Sequence, residues 1–211
     1  MGELSVITEP DAAAHYVWKT LSDRLFPTED RLVPGDSFLL LDCGGQTVDA
    51  TVYEVDRLKP DRLDQRVSTR RVFCGSSSLN EMFRSALVCE LEASGTAPSP
   101  ESLDDAVISF EYGQKREFDM YRDDVFDVIP IRSTDGSTVD VHLEPGIIRA
   151  MFQATLGQMK ELVEMQLEEA KAQGLAVETV VVVGGLSDCR SIEEYLEELF
   201  SKVQSIRKRK I

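Results

Sequence analysis

Two stretches of this chain are apolar on both faces, short enough to be strands, and run straight into a pair of glycines. Ser37 to Cys43 (SFLLLDC) is followed by Gly44-Gly45, and Val177 to Val183, ending in four consecutive valines, by Gly184-Gly185. A strand without polar–apolar alternation fits the middle of a sheet covered on both faces. Strands of that kind interleaved with helical patterns define an α/β class. The 211 residues suffice for one large domain or two small ones, with a core that needs no disulfide.

The rest of the chain supplies the cover. Pro145 stands at the first position of a helix of roughly 28 residues, about 40 Å long. Its apolar stripe is Ile148, Met151/Phe152, Thr155/Leu156, Met159, Leu162/Val163, Leu167 and Ala170, and Gly174 stops it. Ser187-Asp188 caps a last helix through Tyr195, Leu196, Leu199 and Phe200. Near the other end Thr8 caps a helix with Pro10 in its first turn, Asp11 against the helix dipole, and Tyr16, Val17, Trp18 and Leu21 in a stripe. The segment Pro27 to Gly35 breaks it, with Pro34-Gly35 a turn. Gly44-Gly45-Gln46 leads into Thr47 to Val55 (TVDATVYEV), so a β-hairpin is expected. Asp56 to Arg71 reads as a charged connection, Gly75 to Ser78 as a flexible polar loop, and Leu79 to Leu87 as helix. Residues 93–104 read as a loop rich in Gly, Ser and Pro, followed by a helix with Ile108, Phe110 and Tyr112 that reaches Phe118. Val125 to Ile131 and Thr138 to Leu143 read as strands flanking a Thr134 to Ser137 turn. Arg207-Lys208-Arg209-Lys210 reads as a solvated basic terminus.

Composition removes several function classes. With 23 Lys plus Arg against 38 Asp plus Glu the net charge is −15, so no nucleic-acid partner is expected, because phosphate backbone would be repelled. No run of about 18 apolar residues exists for a membrane span, and Met1-Gly2-Glu3-Leu4-Ser5 lacks the basic-then-apolar order of a signal peptide. A cytoplasmic chain with no membrane partner is expected. Cys43, Cys74, Cys89 and Cys189 form no CxxC pair and read as thiols in a reducing compartment. His15 and His142 are too few for His-based zinc chemistry or a serine triad.

Chemistry concentrates at the two glycine doublets. In Asp42-Cys43-Gly44-Gly45-Gln46-Thr47-Val48-Asp49 the glycines let backbone N–H groups approach an anion without a Cβ in the way. Asp42 and Asp49 repel phosphate themselves but can hold a divalent cation or its waters, which then bridge to phosphate oxygens. Thr47 adds a hydroxyl. Taken alone the block also fits a plain hairpin turn with two solvated aspartates. At Val183-Gly184-Gly185-Leu186-Ser187 a strand end, a glycine pair and a helix start follow one another, the place where open α/β sheets bind ligands. Taken alone that block also fits a tight strand-to-helix connection.

The order of three blocks, Thr8-Glu9-Pro10-Asp11-Ala12-Ala13-Ala14, then Asp42 to Asp49, then Val180 to Gly185, resembles the second half of the actin-like ATPase domain of DnaK-type heat-shock-seventy chaperones. It looks closer still to a divergent heat-shock-seventy-like branch that reads EPEAAA, DxGGGTxD and a late VVLVGG. The linking pieces match as well: Pro34-Gly35-Asp36, Cys74-Gly75-Ser76 with Leu79 and Phe83, and Phe110-Glu111 with Lys115-Arg116 and Phe118. The likeness covers essentially the whole chain.

The resemblance implies an actin-like (ribonuclease H-like) second lobe with an inserted small α+β subdomain. Residues 1–33 would be the crossover helix and linker, 34–73 plus 143–205 the lobe core, 74–142 the insert, and 206–211 a basic tail. It implies ATP or ADP with Mg as cofactors. Asp42 would support the Mg through water, Gly44, Gly45 and Thr47 would meet the β- and γ-phosphates, and Glu9 and Asp49 would complete the catalytic carboxylates. Gly184, Gly185 and Ser187 would lie against the adenosine, Lys115 and Arg116 around adenine and ribose, and Gly75 and Ser76 near the sugar or phosphates.

Three departures accompany it. Gln46 replaces the third loop glycine, where a Cβ at a position favouring positive φ costs about 1 kcal/mol or crowds the phosphate. Glu111 stands four residues before Lys115 rather than three, so its role does not carry over. The first lobe, with its phosphate loop and catalytic lysine, and the peptide-binding domain are not in this sequence. The expectation is therefore a chaperone-type nucleotide half-site with weak or no ATP hydrolysis alone, which is all the resemblance implies about enzyme activity. Nucleotide, a homo-oligomer or the first lobe are the expected partners. The apolar face of the first helix (Ala13, Val17, Trp18, Leu21) would be partly exposed and favour self-association. A non-catalytic interaction module of the same fold is the alternative, and a fragment of a longer protein is a further one. A complete sugar or acetate kinase needs two phosphate loops, whereas one DxGGxTxD block is present.

Overall fold

The computed structural model describes residues 9–21, 32–59, 62–122, 128–202 and 207–210, with backbone alone for residues 9, 10, 20, 21, 201, 202 and 207–210. The Thr8 cap, the break at Pro27 and the start of the strand expected from Val125 lie outside the described residues.

Five strands form one mixed sheet: β1 (Ser37–Cys43), β2 (Val48–Val55), β3 (Leu63–Val72), β6 (Val177–Val183) and β7 (Arg207–Lys210), in the order β3-β2-β1-β6-β7. β1, β2 and β3 are an antiparallel meander, and β6 and β7 add parallel to β1. β1 is buried along nearly its whole length and β6 over Val180 to Val182, where the sheet is covered on each side, while Glu178 near the start of β6 is exposed. One face (Leu39, Leu41, Cys43, Val48, Ala50, Val52, Val180, Val182) packs under α5 (Pro145–Ala172) and α6 (Arg190–Lys202). The other (Phe38, Leu40, Tyr53, Val55, Val181) packs under α1 (Glu9–Leu21). The chain is thus α/β with a mixed sheet, and among the described residues no helix is long and apolar enough to cross a membrane.

Between β3 and α5 lie α2 (Ser76–Ala93), α3 (Pro100–Tyr112), α4 (Gln114–Glu117) and a hairpin of β4 (Ile129–Arg132) and β5 (Thr138–Val141). Their apolar faces, with Phe83 stacked on Phe110 at 4.1 Å between ring centroids, run continuously into the core beneath the main sheet. The segment between β3 and α5 and the main sheet therefore share one hydrophobic cluster.

Several expectations need correction. Asp56 to Arg71 is not a connection: most of it is β3. Its apolar residues fall at Leu63, Val67 and Val72, because two register shifts against β2 break the alternation. The carbonyls near the first shift are capped from above by buried Gln166, whose Nε2 donates to Ala50 O and Ser68 O, both at 2.9 Å. Gly75 to Ser78 is not a loop, since α2 begins at Ser76. The 93–104 loop ends early, because Ser99 accepts from the Ser102 amide and starts α3 with Pro100 in its first turn. Gly113 breaks the helix expected to reach Phe118. The basic tail is not solvated chain along its backbone, since residues 207–210 pair with β6. On the face of α1 expected to be partly exposed, Val17 is fully buried and Ala13 and Trp18 are half-buried against the same cluster, while the Leu21 side chain lies outside the described residues. Tyr53 Oη also donates to Asp11 Oδ1 at 3.0 Å. The exposed aromatic of that helix is Tyr16.

Gly184 fixes how closely β6 meets β1. Its φ is +90° and ψ 147°, and a Cβ there would lie 2.6 Å from the Cys43 carbonyl carbon and 2.7 Å from Asp42 Oδ1. That backbone region is essentially closed to L side chains. Gly184→Ala is expected to destabilise the fold by at least about 2 kcal/mol, read as a lower urea midpoint with unchanged slope.

Candidate functional site

The turn after β1 is built by backbone alone. Gly44 N donates to Thr47 O at 2.9 Å and closes it. The next three peptide carbonyls all point at the start of α2: Ser76 N bonds Gly44 O (3.1 Å), Ser77 N bonds Gly45 O (2.7 Å) and Gly75 N bonds Gln46 O (3.1 Å). Ser77 Oγ adds a second bond to Gly45 O at 2.7 Å. In a planar trans peptide the carbonyl and the following N–H point in opposite directions. The amides of Gly45, Gln46 and Thr47 are therefore turned away from α2, and among the described residues nothing accepts from them. Gly44 and Gly45 are not at positive φ. Gly45 serves by what it lacks, because a Cβ on it would meet nothing within 4 Å. Gly75 serves by close approach, since its Cβ would lie 2.6 Å from Gly45 O.

Opposite the turn, β6 ends at Gly184 and a single 3₁₀ turn (Gly185–Asp188) leads to Cys189 and α6. The third wall comes from the end of α3 and from α4. Together these elements enclose an open pocket of about 190 Å³. Gly44 and Gly45 line it from the turn, Ser76 from α2, Glu111, Lys115 and Arg116 from α3 and α4, and Gly185, Leu186 and Cys189 from the β6–α6 connection.

Six of the residues expected from sequence meet in this pocket: Gly44, Gly45, Ser76, Lys115, Arg116 and Gly185. The others do not line it. Gly75 and Gly184 hold its backbone frame. Ser187 is buried within the 3₁₀ turn, its Oγ donating to Gly184 O at 2.8 Å. Thr47 closes the turn through its carbonyl. Asp42 and Asp49 oppose each other in the β1–β2 register, on the α1 side of the sheet. Asp49 is buried and held by Arg71 from β3, whose Nε and Nη2 lie 2.6 and 2.7 Å from its two oxygens. That bidentate pair occupies the carboxylate expected to act in catalysis. Asp42 is half-buried beside Gly184. The Glu9 side chain lies outside the described residues.

Lys115 differs from its expected role. It is 1% exposed, and its ammonium donates to Ser76 Oγ (2.5 Å), Asn80 Oδ1 (3.0 Å), Ser76 O (3.3 Å) and the Glu111 carboxylate. Glu111 in turn accepts from Asn80 Nδ2 and Ser76 Oγ. Partial burial pushes the Glu111 carboxyl up, but hydrogen bonds from Lys115 and Asn80 and the Lys115 charge more than offset it and hold the group below its ordinary range. This knot ties α2, α3 and α4 together at the pocket wall. Glu111 is the site residue that sequence reasoning set aside, although its i,i+4 spacing to Lys115 is the spacing of a helical ion pair. Arg116 is exposed at the mouth with its guanidinium 6.0 Å from the Tyr112 ring centroid. Burial pushes the Cys189 thiol up despite the nearby Lys115 and Arg116 charges, so it stays protonated at neutral pH.

One carboxylate and two cations face the pocket, leaving it locally positive within a chain of net charge −15. A glycine turn and a cationic rim at one pocket are the kind of lining that suits an anionic ligand. Among the described residues no group of three His, Cys, Asp or Glu converges to hold a metal directly. The one carboxylate that lines the pocket, Glu111, is engaged by Lys115 and Asn80, and Asp42 does not line it.

Removing the buried cation should loosen the knot. Lys115→Met is expected to cost about 1–3 kcal/mol in urea unfolding. Because the folded-state Glu111 carboxyl titrates below its ordinary value, its stabilisation is complete above that value and is lost as the pH falls through the folded one. Glu111→Gln should therefore lower stability at neutral pH and narrow the gap to wild type under acid. Compared with protein-family models and with curated proteins, the chain matches no family model and no curated sequence.

Proposed function

We propose that this chain is the second lobe of a heat-shock-seventy-like, actin-like ATPase domain, a cytoplasmic chaperone-type protein whose pocket holds the phosphates and sugar of ATP or ADP. The observation that carries the reading is convergence. Gly44 and Gly45, Lys115 and Arg116, and Gly185 are far apart in sequence yet line one pocket at the carboxyl ends of β1 and β6. The sheet supports it too: an antiparallel three-strand meander followed by two parallel strands, in the order β3-β2-β1-β6-β7, is the core expected of a ribonuclease H-like lobe.

In this reading the backbone of Gly44 and Gly45 meets the terminal phosphates, Arg116 flanks the base and ribose, and Asp42, which does not line the pocket, would act only through water on a Mg ion that neutralises phosphate charge. The described walls cover one side of such a ligand. Phosphoryl transfer depends on positioning and electrostatic stabilisation around the whole transferring group, and contacts left in water are weak. Binding by this chain alone is therefore weak and hydrolysis negligible.

A non-catalytic interaction module of the same fold is the second reading. It is favoured by the saturation of Lys115, the pairing of Asp49 with Arg71 and the side chain at Gln46. Calorimetric titration with Mg-ATP separates the two. Weak, saturable heat is expected from the wild type, reduced in Asp42→Ala and lost in Gly45→Val, whose added side chain enters open space and should leave the melting temperature unchanged. No heat, or heat indifferent to Gly45→Val, rejects nucleotide binding at this turn in favour of the interaction module. Micromolar affinity with steady phosphate release rejects the half-site.

A further inference from the structure

The pocket wall that carries Lys115 and Arg116 is α4, four residues long. A helix of that length does not hold itself in water, so its position is set from outside. On its inner side the Glu111–Lys115 knot anchors it. On its outer side the chain leaving α4 is fastened to α6. Ser191 Oγ donates to Phe118 O at 2.5 Å and accepts from Met120 N at 3.0 Å. Asp119 is 2% exposed and lies 3.1 Å from Arg190 Nη2 and 3.2 Å from Arg122 Nε, while the Tyr121 amide donates to it at 2.9 Å. Arg149 of α5 donates through Nε to Met120 O at 3.0 Å.

The place of the fastening matters more than its strength. Arg190 and Ser191 open α6 immediately after Cys189, which lines the wall facing α4. Asp119 begins three residues beyond Arg116. The residues leaving one wall are thus bonded to the residues leaving the other, just behind the pocket, and neither Ser191 nor Asp119 lines it. Asp119 is buried while its partners Arg190 and Arg122 stay half-exposed, so the ion pairs add little stability of their own, and what they and the Ser191 bonds supply is the path of the chain behind the pocket.

We infer that Ser191 and Asp119 form a clasp that sets the separation of the α4 wall from the Gly185–Cys189 wall, and so tunes nucleotide affinity without touching the nucleotide. They are positioning residues. The inference rests on the nucleotide reading above, and its test separates the two. In Ser191→Ala, and in the shape-conserving Asp119→Asn should the first not fold, Mg-ATP affinity measured by calorimetry should fall about tenfold, the effect of losing one or two buried hydrogen bonds. Amide hydrogen exchange at Arg116 and Phe118, both bonded within α4, should speed up by a similar factor, with β1 and β6 amides unchanged. Unchanged exchange at Arg116 and Phe118, or faster exchange with wild-type affinity, overturns the clasp. If the wild type binds no nucleotide, the functional reading falls alone and the exchange measurement still decides the clasp: acceleration confined to the α4 amides supports it, and uniform acceleration across the sheet overturns it.

Discussion

Three hydrogen bonds from the amides of residues 75–77 to the carbonyls of residues 44–46 organise this molecule. They do two jobs at once. A helix start leaves its first amides without intrahelical partners, and α2 has no side-chain cap at Gly75. The carbonyls of the β1–β2 turn supply the missing acceptors. The same bonds fix the orientation of each peptide plane in the turn, which directs the amides of Gly45, Gln46 and Thr47 outward. The first amides of α2 are therefore spent on protein carbonyls rather than left open. Gly75 is required at the junction because any side chain there would collide with the turn backbone.

This staple also joins the lobe to its insert. The shared core beneath α5 and the Glu111–Lys115–Ser76 knot continue the connection, so the pocket lies where the two parts meet rather than inside either one. Ser76 is common to both devices: its amide caps onto Gly44 and its hydroxyl accepts from Lys115. A change at Ser76 would be felt at the turn and at α4 together.

The features legible in the sequence were those written in local pattern. The central strands, the long helix from Pro145, the turn at Gly174 (φ +75°) and the strand–glycine junctions all carry their own signal within a few residues. Six residues that the resemblance named line one pocket. What stayed hidden was decided by tertiary contact. β3 hides because register shifts space its apolar residues four and five apart. The start of α2 hides because its cap comes from a turn some thirty residues earlier. Lys115 as a buried strut, and Asp49 as the partner of Arg71, depend on neighbours that no spacing rule names. Sequence and resemblance named residues that meet at one pocket but could not tell which of them face its space and which serve as its scaffold.

That distribution has an electrostatic logic. A buried ammonium without partners would be intolerable, and Lys115 is acceptable at 1% exposure only because a carboxylate, an amide oxygen, a hydroxyl and a carbonyl surround it. Once so engaged, most of its charge is answered by Glu111. Asp49 is likewise answered by Arg71 on the far side of the turn. The cation left exposed at the pocket is then Arg116, which among the described residues has a ring neighbour in Tyr112 and no ion pair. In the nucleotide reading, a site built from one solvated guanidinium and backbone donors would attract phosphate through geometry more than through net charge. Its strength therefore depends on how closely the walls are held, which makes the fastening of a four-residue helix as consequential as any residue that faces the pocket.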